Sequence, residues 1–513
     1  MSAWYGSGWF VRSNVRARNE RDEIRVMIDR LLLFGATGDL AGRFLLPALA
    51  ELWSEGQLPE SLDVIAAAQQ DLSEQAFQCA ARERLDQHAP DVAAAARESL
   101  LRRLRYRRVD LASNSIPDVI RDLLSGSSHA AASRGRPVAA YLAVPPHVFV
   151  PAITALGSAG LPPGSRIVVE KPFGEDFESA VALNGLLATV AGTAGESAIF
   201  RVDHVLGMAT VHNLLGIRLA NRVLEPIWNS THIDQIELLW EETLGLEGRA
   251  AYYDRAGALR DVVQNHLLQV LSLVAMEPPA SLGERDLRDR KVDVLRAVRL
   301  PEMSEIADRT RRARYTAGRL ASTGGARGNE VPDYAAEDGV NPARATETFA
   351  EIVLEIETWR WAGTRFVLRA GKALHRRSKG VIVRFRDVPH LPFGPNVPAP
   401  DANELRIGLD GPETLSLHLS GSVPGPPAVL TPLVLTTHLP AAELRAYSQV
   451  LLDVLTGDCT LSIRGDEAEQ GWRIMTPVLN AWAENRVPLE EYPAGSAGPP
   501  RRLAEPGRTG SLQ

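Results

Sequence analysis

Through the first two hundred residues, apolar runs closed by glycine or proline alternate with amphipathic stretches. In VMIDRLLLFGATGDLAGRFLLPALAELW (26–53) the run ending LLLF predicts a strand, the glycines a turn, and the apolar spacing beyond them a helix. DVIAAA (63–68) predicts a second buried strand and SEQAFQCAARERLDQ a helix after it. VAAYLAVPP (138–146) and RIVVEKPFG (166–174) predict two more strands, each closed by a proline-containing turn. Such alternation predicts a parallel sheet with helices on its faces.

Beyond about residue 200 the pattern changes. IDQIELLWEETLG (233–245) opens as a strand, and a long amphipathic helix is expected from Gly257 to Ala275. TFAEIVLEIET (348–358), TRFVLRAGKAL (364–374), VIVRFRDV (381–388), NELRIGLD and TLSLHLSG then follow as strands without helices between them, which predicts an antiparallel or mixed sheet. The Gly/Pro/acid-rich stretch 321–343 is expected to be a surface loop, and the tail from about 496 to 513 to fray unless something docks it.

A length of 513 residues fits two or three domains. With 45% hydrophobic and 23% charged residues, the composition is that of an ordinary globular chain. Fifty-six basic against 63 acidic residues leave a net charge of −7, so no global attraction to nucleic acid or anionic membrane is expected. Cys79 and Cys459 stand 380 residues apart with no CxxC spacing and no nearby His, which argues against a disulfide or a metal site. Residues 1–25 lack the apolar segment of a secretory signal and are expected to form an N-terminal arm. No window holds 18 consecutive apolar residues, and a cytoplasmic protein is expected.

Two places carry candidate chemistry. Gly35 and Gly38 lie where a strand hands over to a helix, whose free N–H groups and dipole favour a pyrophosphate. The third glycine of the general fingerprint is Ala41, so the pattern fits either a dinucleotide turn or an ordinary loop. In DVVQNHLLQVL (261–271), His266 shares a helical face with Leu259, Val263 and Val270. That leaves two readings open: a core histidine satisfied by one hydrogen bond, or a base held in an apolar wall.

GATGDLAGRFLLP resembles the nucleotide turn of the glucose-6-phosphate dehydrogenase family, with Pro47 matching the family proline. YLAVPP (141–146), VEKPFG (169–174), RVDHVLG (201–207), EGRAAYYDRAGALRDVVQNHLLQVLSLVAMEPP (247–279), RAGKAL (369–374), WRIMTP (472–477) and YPAGSAGP (492–499) continue the resemblance in order, from about residue 30 to 500. It implies an α/β fold: a Rossmann-like dinucleotide-binding domain over 26–200, and a larger α+β domain with a mostly antiparallel sheet over 201–495 that binds substrate and forms homodimers or homotetramers. It implies oxidation of glucose 6-phosphate at C1 to the 1,5-lactone with NADP or NAD. By the same resemblance His266 is the base and Asp203 its orienter, while Lys171, His204, Glu242, Asp261, Lys372 and Arg377 place the sugar. Gly35, Ala36, Thr37, Gly38, Asp39, Leu40, Arg43, Gln69, Tyr141 and Lys171 fall at its cofactor positions.

Three departures bear on these expectations. The family's RIDHYLGK is RVDHVLGM here, so a phenol and an ammonium that hold the substrate phosphate are replaced by Val205 and Met208. Their loss is expected to cost several kcal/mol if each charge-assisted hydrogen bond is worth about 1.5–3 kcal/mol. A sugar or cyclitol with another group at C6 is therefore an alternative substrate, and a non-catalytic dinucleotide-binding subunit is a further alternative. Gln69 stands where the family commonly has an arginine for the adenosine 2′-phosphate, with Arg43 as a possible substitute. Asp71 fits either a ribose acceptor or a helix cap. Asp261 near a helix start and Arg377 also fit plain solvated charges.

Overall fold

A computed structural model of the chain describes residues 27–111, 113, 116–125, 135–320, 329–393, 397–409, 414–423, 429–439 and 443–500. The expected arm at 1–25 lies outside the described residues, as do 321–328 of the expected loop and 501–513 of the expected tail.

The four predicted apolar runs become β1 (Arg30–Phe34), β2 (Asp63–Ala68), β4 (Ala139–Leu142) and β5 (Arg166–Glu170) of one sheet, which β3 (Leu104–Arg108) and β6 (Ile199–Val202), not expected from the pattern, complete. The order is β3-β2-β1-β4-β5-β6 and every neighbouring pair is parallel, as in a Rossmann domain. β1 is buried along its whole length because helices cover both faces of a parallel sheet. Arg30, the one charge in it, is accommodated by donating to the carbonyls of Leu123 (3.0 Å) and Leu124 (3.1 Å). Strand order reverses between β1 and β4, which opens a crevice beyond their carboxyl ends. Gly35 fills that place with φ 77°, and a Cβ there would sit 2.1 Å from the Ala143 carbonyl oxygen.

The expected boundary at residues 200 and 201 falls inside β6, so the first domain runs on to Val202. The second domain is built on β7 (Ile233–Glu241), β8 (Thr310–Thr316), β11 (Phe349–Glu355), β12 (Arg365–Gly371), β13 (Ser378–Phe385), β14 (Glu404–Gly408), β15 (Thr414–Val423), β16 (Val429–His438) and β17 (Leu489–Pro493); β9 (Gly318–Arg319) and β10 (Glu330–Val331) form a separate ribbon. The sheet order is β16-β15-β14-β13-β7-β12-β11-β8-β17. It is antiparallel except at β7–β12 and β8–β17, so the mostly antiparallel expectation holds.

Three details differ from expectation. The helix Ala446–Thr456 packs on the helix Leu46–Ser54, and Leu451, Val454, Leu455 and Cys459 join the core of the first domain. The stretch 329–343 is not merely surface loop: Tyr334 is buried and its hydroxyl donates to Asp254 (3.0 Å). The first residues of the tail are docked, since the His375 N–H donates to the Ser496 carbonyl (2.8 Å) and Arg311 to that of Pro500 (2.6 Å).

The expected helix 257–275 is composite. A helix Ala250–Ala258 is broken at Gly257 (φ 67°), followed by a π-helical segment Leu259–Leu267 and an α-helix Leu268–Ala275. The π segment lies against β7, β11 and β12 and carries both Asp261 and His266.

Candidate active site

The carboxyl ends of β5 and β6 face the π-helical segment. Asp203 follows β6 directly and caps the short turn His204–Gly207, its Oδ1 accepting from the Val205 N–H (3.1 Å). The same oxygen lies 2.6 Å from His266 Nδ1. With a carboxylate accepting, Nδ1 carries the proton and Nε2 presents its lone pair. Lys171, the residue after β5, donates to that Nε2 (2.9 Å), and to the Asp261 carbonyl (2.6 Å) and Oδ1 (3.3 Å).

One ammonium reaches residues 261 and 266 because the segment is π-helical. Its i→i+5 bonding stacks residues five apart, which an α-helix turns to different faces. Asn265 supports the irregular turn from within, its Oδ1 accepting from the His266 N–H (2.7 Å) and its Nδ2 donating to the Arg260 carbonyl (2.8 Å).

Burial sets the electrostatics. His266 is 3% exposed, and desolvation lowers its pKa, with Lys171 acting in the same direction and Asp203 opposing. For Asp203 burial alone would raise the pKa, but the charge and hydrogen bond of His266 outweigh it and hold the carboxyl well below the usual range. His204 is pushed down to about 3, first by burial and then by His266, so it is a neutral N–H donor. Its ring meets His266 edge-on (centroids 4.8 Å) and stacks on Tyr447 (5.4 Å, 13°). Burial would also raise Glu242 and Asp261. Lys372 and Lys379 instead bring Glu242 down to about 2, and Lys171 with Lys372 holds Asp261 below the carboxylate range.

The structure thus gathers Lys171, Asp203, His204, Glu242, Asp261, His266 and Lys372 around one cleft. Lys372 Nζ lies 2.5 Å from Glu242 Oε2, while Arg377 is exposed immediately before β13. Val205 is fully buried and Met208 packs against the core, so neither offers a polar atom to a substrate.

At the glycine turn the Gly38 N–H donates to the Gly35 carbonyl (2.9 Å), and Thr37 Oγ1 to Gln70 Oε1 (2.6 Å). Gly38 and Asp39 are exposed, Thr37 and Leu40 partly so, and Ala36 is buried. The close approach at Gly35 shows a turn in which a Cβ has no room, and the helix beyond it points its N-terminus into the crevice. These features fit a dinucleotide pyrophosphate. Arg43 pairs loosely with Asp39 (3.5 Å), and Gln69 is exposed just past β2. Asp71 does not cap the next helix. Ser73 does, accepting from the Ala76 N–H (3.1 Å), while Asp71 faces Arg108 (3.6 Å). Tyr141 departs most from expectation: it is fully buried and donates to Glu170 Oε1 (2.5 Å), so its hydroxyl supports the residue before Lys171 instead of facing the cleft. Burial raises that Glu170 carboxyl to about 7.

Trp240, Glu170, Gln70, Asn265, Lys379 and Tyr447 were missed from the sequence. Lys379 Nζ lies 3.0 Å from Glu242 Oε1 and 4.1 Å from the Trp240 ring centroid, and that ring is 5.3 Å from His266. A β-period count from Trp240 to Glu242 shows that both face one way, which is the only signal that pointed there. Asp203, His204 and His266 also hold ligand-capable atoms within 4.8 Å of one another. Because His266 Nδ1 is engaged by Asp203, the group suits proton transfer better than metal ligation.

A neutral imidazole oriented by a buried carboxylate is a general base. Its activity is expected to be lost as pH falls through the lowered His266 pKa, which puts the acid limb of kcat/KM below the ordinary histidine value of about 6.5. Asp203→Asn removes the charge that raises this pKa, so the limb should move lower still while the plateau falls. A wild-type limb above about 7 would contradict the assignment.

Residues 32–213 match the family model for the glucose-6-phosphate dehydrogenase NAD binding domain, and residues 215–506 that for its C-terminal domain. Glucose-6-phosphate 1-dehydrogenase of Rhizobium meliloti is 39% identical over 481 residues, 92% of this chain and 95% of that protein; the enzyme of Mycolicibacterium smegmatis is 38% identical over 91% and 94%. Among solved structures, the glucose-6-phosphate 1-dehydrogenase of Mycobacterium avium superposes with TM-score 0.78 at 33% identity, covering 92% of this chain and 95% of that one. A glucose-6-phosphate dehydrogenase in complex with glucose 6-phosphate superposes with TM-score 0.79 at 30% identity, over 92% and 96%. Motifs, fold and site geometry together place this chain in the glucose-6-phosphate dehydrogenase family.

Proposed function

We propose that the protein oxidises glucose 6-phosphate at C1 to the 1,5-lactone with a nicotinamide dinucleotide. The observation that carries this reading is the buried pair of His266 Nδ1 and Asp203 Oδ1 at 2.6 Å, with Nε2 turned toward Lys171. A relative solved with glucose 6-phosphate supports the choice of sugar phosphate.

The C1 hydroxyl takes the place of the Lys171 ammonium at His266 Nε2 and gives up its proton there. Asp203, already ionised, stabilises the imidazolium that forms. Lys171, retaining Asp261, turns toward the sugar and the cofactor edge; Glu242 and Asp261 accept hydroxyl protons, and His204 donates its N–H. A nicotinamide held at the crevice would supply the hydride acceptor. The turn at Gly35–Leu40 would hold the pyrophosphate of that dinucleotide at the helix N-terminus.

For the cofactor, the reading is use of both NADP and NAD. Gln69 offers no charge to a 2′-phosphate, Arg43 and Arg108 offer some, and Asp71, facing Arg108, is drawn away from a ribose. The expected ratio of kcat/KM for NADP over NAD is below about 100, which is 2.7 kcal/mol. Steady-state assays of glucose 6-phosphate and glucose with each nucleotide test both points, and a larger NADP ratio would refute the role given to Gln69. The apolar Val205 and Met208 favour a second reading, oxidation of a sugar or cyclitol without the 6-phosphate. Equal kcat/KM for glucose and its 6-phosphate would select it.

We further infer a homo-oligomer joined through the β15–β16 ribbon, where Val423, Val429, Leu433, Val434 and Leu435 are about half exposed in a single chain. A cytoplasmic location is in keeping with this reading, since two cysteines held as thiols suit a reducing compartment.

A further inference from the structure

The segment that carries Asp261 and His266 is started from outside itself. Gly257 (φ 67°) breaks the preceding helix two residues before Leu259, where the π-helical segment begins. A helix that has just begun has N–H groups with no carbonyl behind them, and these need other acceptors. The tripeptide Thr346-Glu347-Thr348, just before β11, supplies two. Glu347 Oε1 accepts from the Leu259 N–H (2.9 Å), and the Glu347 carbonyl from the Ala258 N–H (3.2 Å).

The neighbouring threonines fix what lies on either side. Thr346 Oγ1 donates to the carbonyl of Asp254 (2.7 Å), in the helix before the break. The Thr348 carbonyl accepts from the Lys372 N–H (2.9 Å), while the Tyr492 hydroxyl, 2.8 Å from Thr348 Oγ1, donates to the Lys372 carbonyl (2.7 Å). One short stretch thus sets the π-helical segment and Lys372 relative to each other.

Glu347 is 8% exposed, a rare setting for a carboxylate. Burial raises its pKa, and the Leu259 N–H opposes the rise ahead of the more distant Arg260 and Arg312. A carboxyl oxygen accepts that N–H in either protonation state, so reach matters here more than charge. Gly257 is matched to it, since a Cβ there would overlap the Glu347 carboxylate.

We propose that Glu347 is a positioning residue: by capping Leu259 it holds the π-helical register that stacks Asp261 and His266 under Lys171. The proposal deepens the sugar-oxidation reading above and rests on it. Without the cap the segment is free to relax toward an α-helix, which turns residues five apart to different faces and moves His266 Nε2 off the C1 hydroxyl.

The test measures kcat and KM with glucose 6-phosphate for Glu347→Gln, Glu347→Asp and Glu347→Ala, each alone and combined with His266→Asn. Glutamine keeps the length and an acceptor oxygen, so Glu347→Gln should stay within about threefold of wild type. Aspartate keeps the charge but is one methylene short. Glu347→Asp and Glu347→Ala should both lower kcat by about 10- to 100-fold, the scale for a group displaced by about 1 Å. KM for the nucleotide, whose crevice lies in the first domain, should change little. Combined with His266→Asn, where there is no base to misplace, the same changes should cost less than about threefold. Glu347→Asp carries the comparison if the alanine variant does not fold. Equal losses with and without His266, an unchanged kcat in Glu347→Asp, or a loss in Glu347→Gln as large as in Glu347→Asp would each overturn the proposal. A wild type that does not oxidise glucose 6-phosphate would overturn the sugar-oxidation reading and the proposal with it, and that result is visible before any variant is made.

Discussion

His266→Asn is expected to reduce kcat by about 10²- to 10⁴-fold, the usual contribution of a positioned general base, while KM for glucose 6-phosphate changes little. The asparagine amide can still donate to Asp203, so the carboxylate keeps a partner beside the Val205 N–H and the fold should survive. What is lost is the lone pair at Nε2. No other described side chain replaces it: Lys171 beside it is a donor, and His204, although neutral, stacks between His266 and Tyr447. A loss smaller than about tenfold would show that proton transfer is not what the histidine contributes.

Lys291→Met is expected to give the largest loss of stability, about 3–5 kcal/mol, the range for leaving one member of a buried ion pair without its partner. Lys291, on the helix Glu284–Ala297, and Glu467, on the helix Gly465–Ala483, are both fully buried with their charged atoms 2.8 Å apart. Glu467 Oε1 also accepts from the Arg464 N–H (3.3 Å). Glu467 lines the same small pocket as Gln264 and Asn265, two residues of the π-helical turn that carries His266. Its stranded charge should therefore loosen the site as well as the helix pair. Adding Glu467→Leu to Lys291→Met should recover much of the stability, since an apolar pair there carries no desolvation cost. Thermal unfolding without ligand measures both, and a single variant within about 1 kcal/mol of wild type would contradict the account.

The glycine turn was legible because it is local, whereas the pairing of His266 with Asp203, 63 residues apart, came only from the family resemblance. A strand, a tight turn and a helix are encoded by adjacent residues. Other parts depend on chain distant in sequence. Lys379, one of four lysines in the chain, belongs to no motif and gains its meaning only when β13 pairs with β7 and sets it against Trp240. Tyr447 reaches His204 only because the helix Ala446–Thr456 crosses back onto the first domain. The π-helical segment was invisible to a 100° helical wheel, which put His266 on the right apolar face but hid its stacking with Asp261 under Lys171. The setting of Tyr141 was hidden for a related reason: strand alternation does not say that its ring lies in the core with its hydroxyl on Glu170, a partner 29 residues away.

The role of His266 is tested most directly by a crystal structure of the protein with glucose 6-phosphate and a reduced nicotinamide nucleotide. The C1 oxygen should lie within about 2.6–3.2 Å of His266 Nε2, with Asp203 still bonded to Nδ1 and Lys171 moved off the imidazole. A sugar bound with C1 facing away from that nitrogen, or with its phosphate against the imidazole, would contradict it.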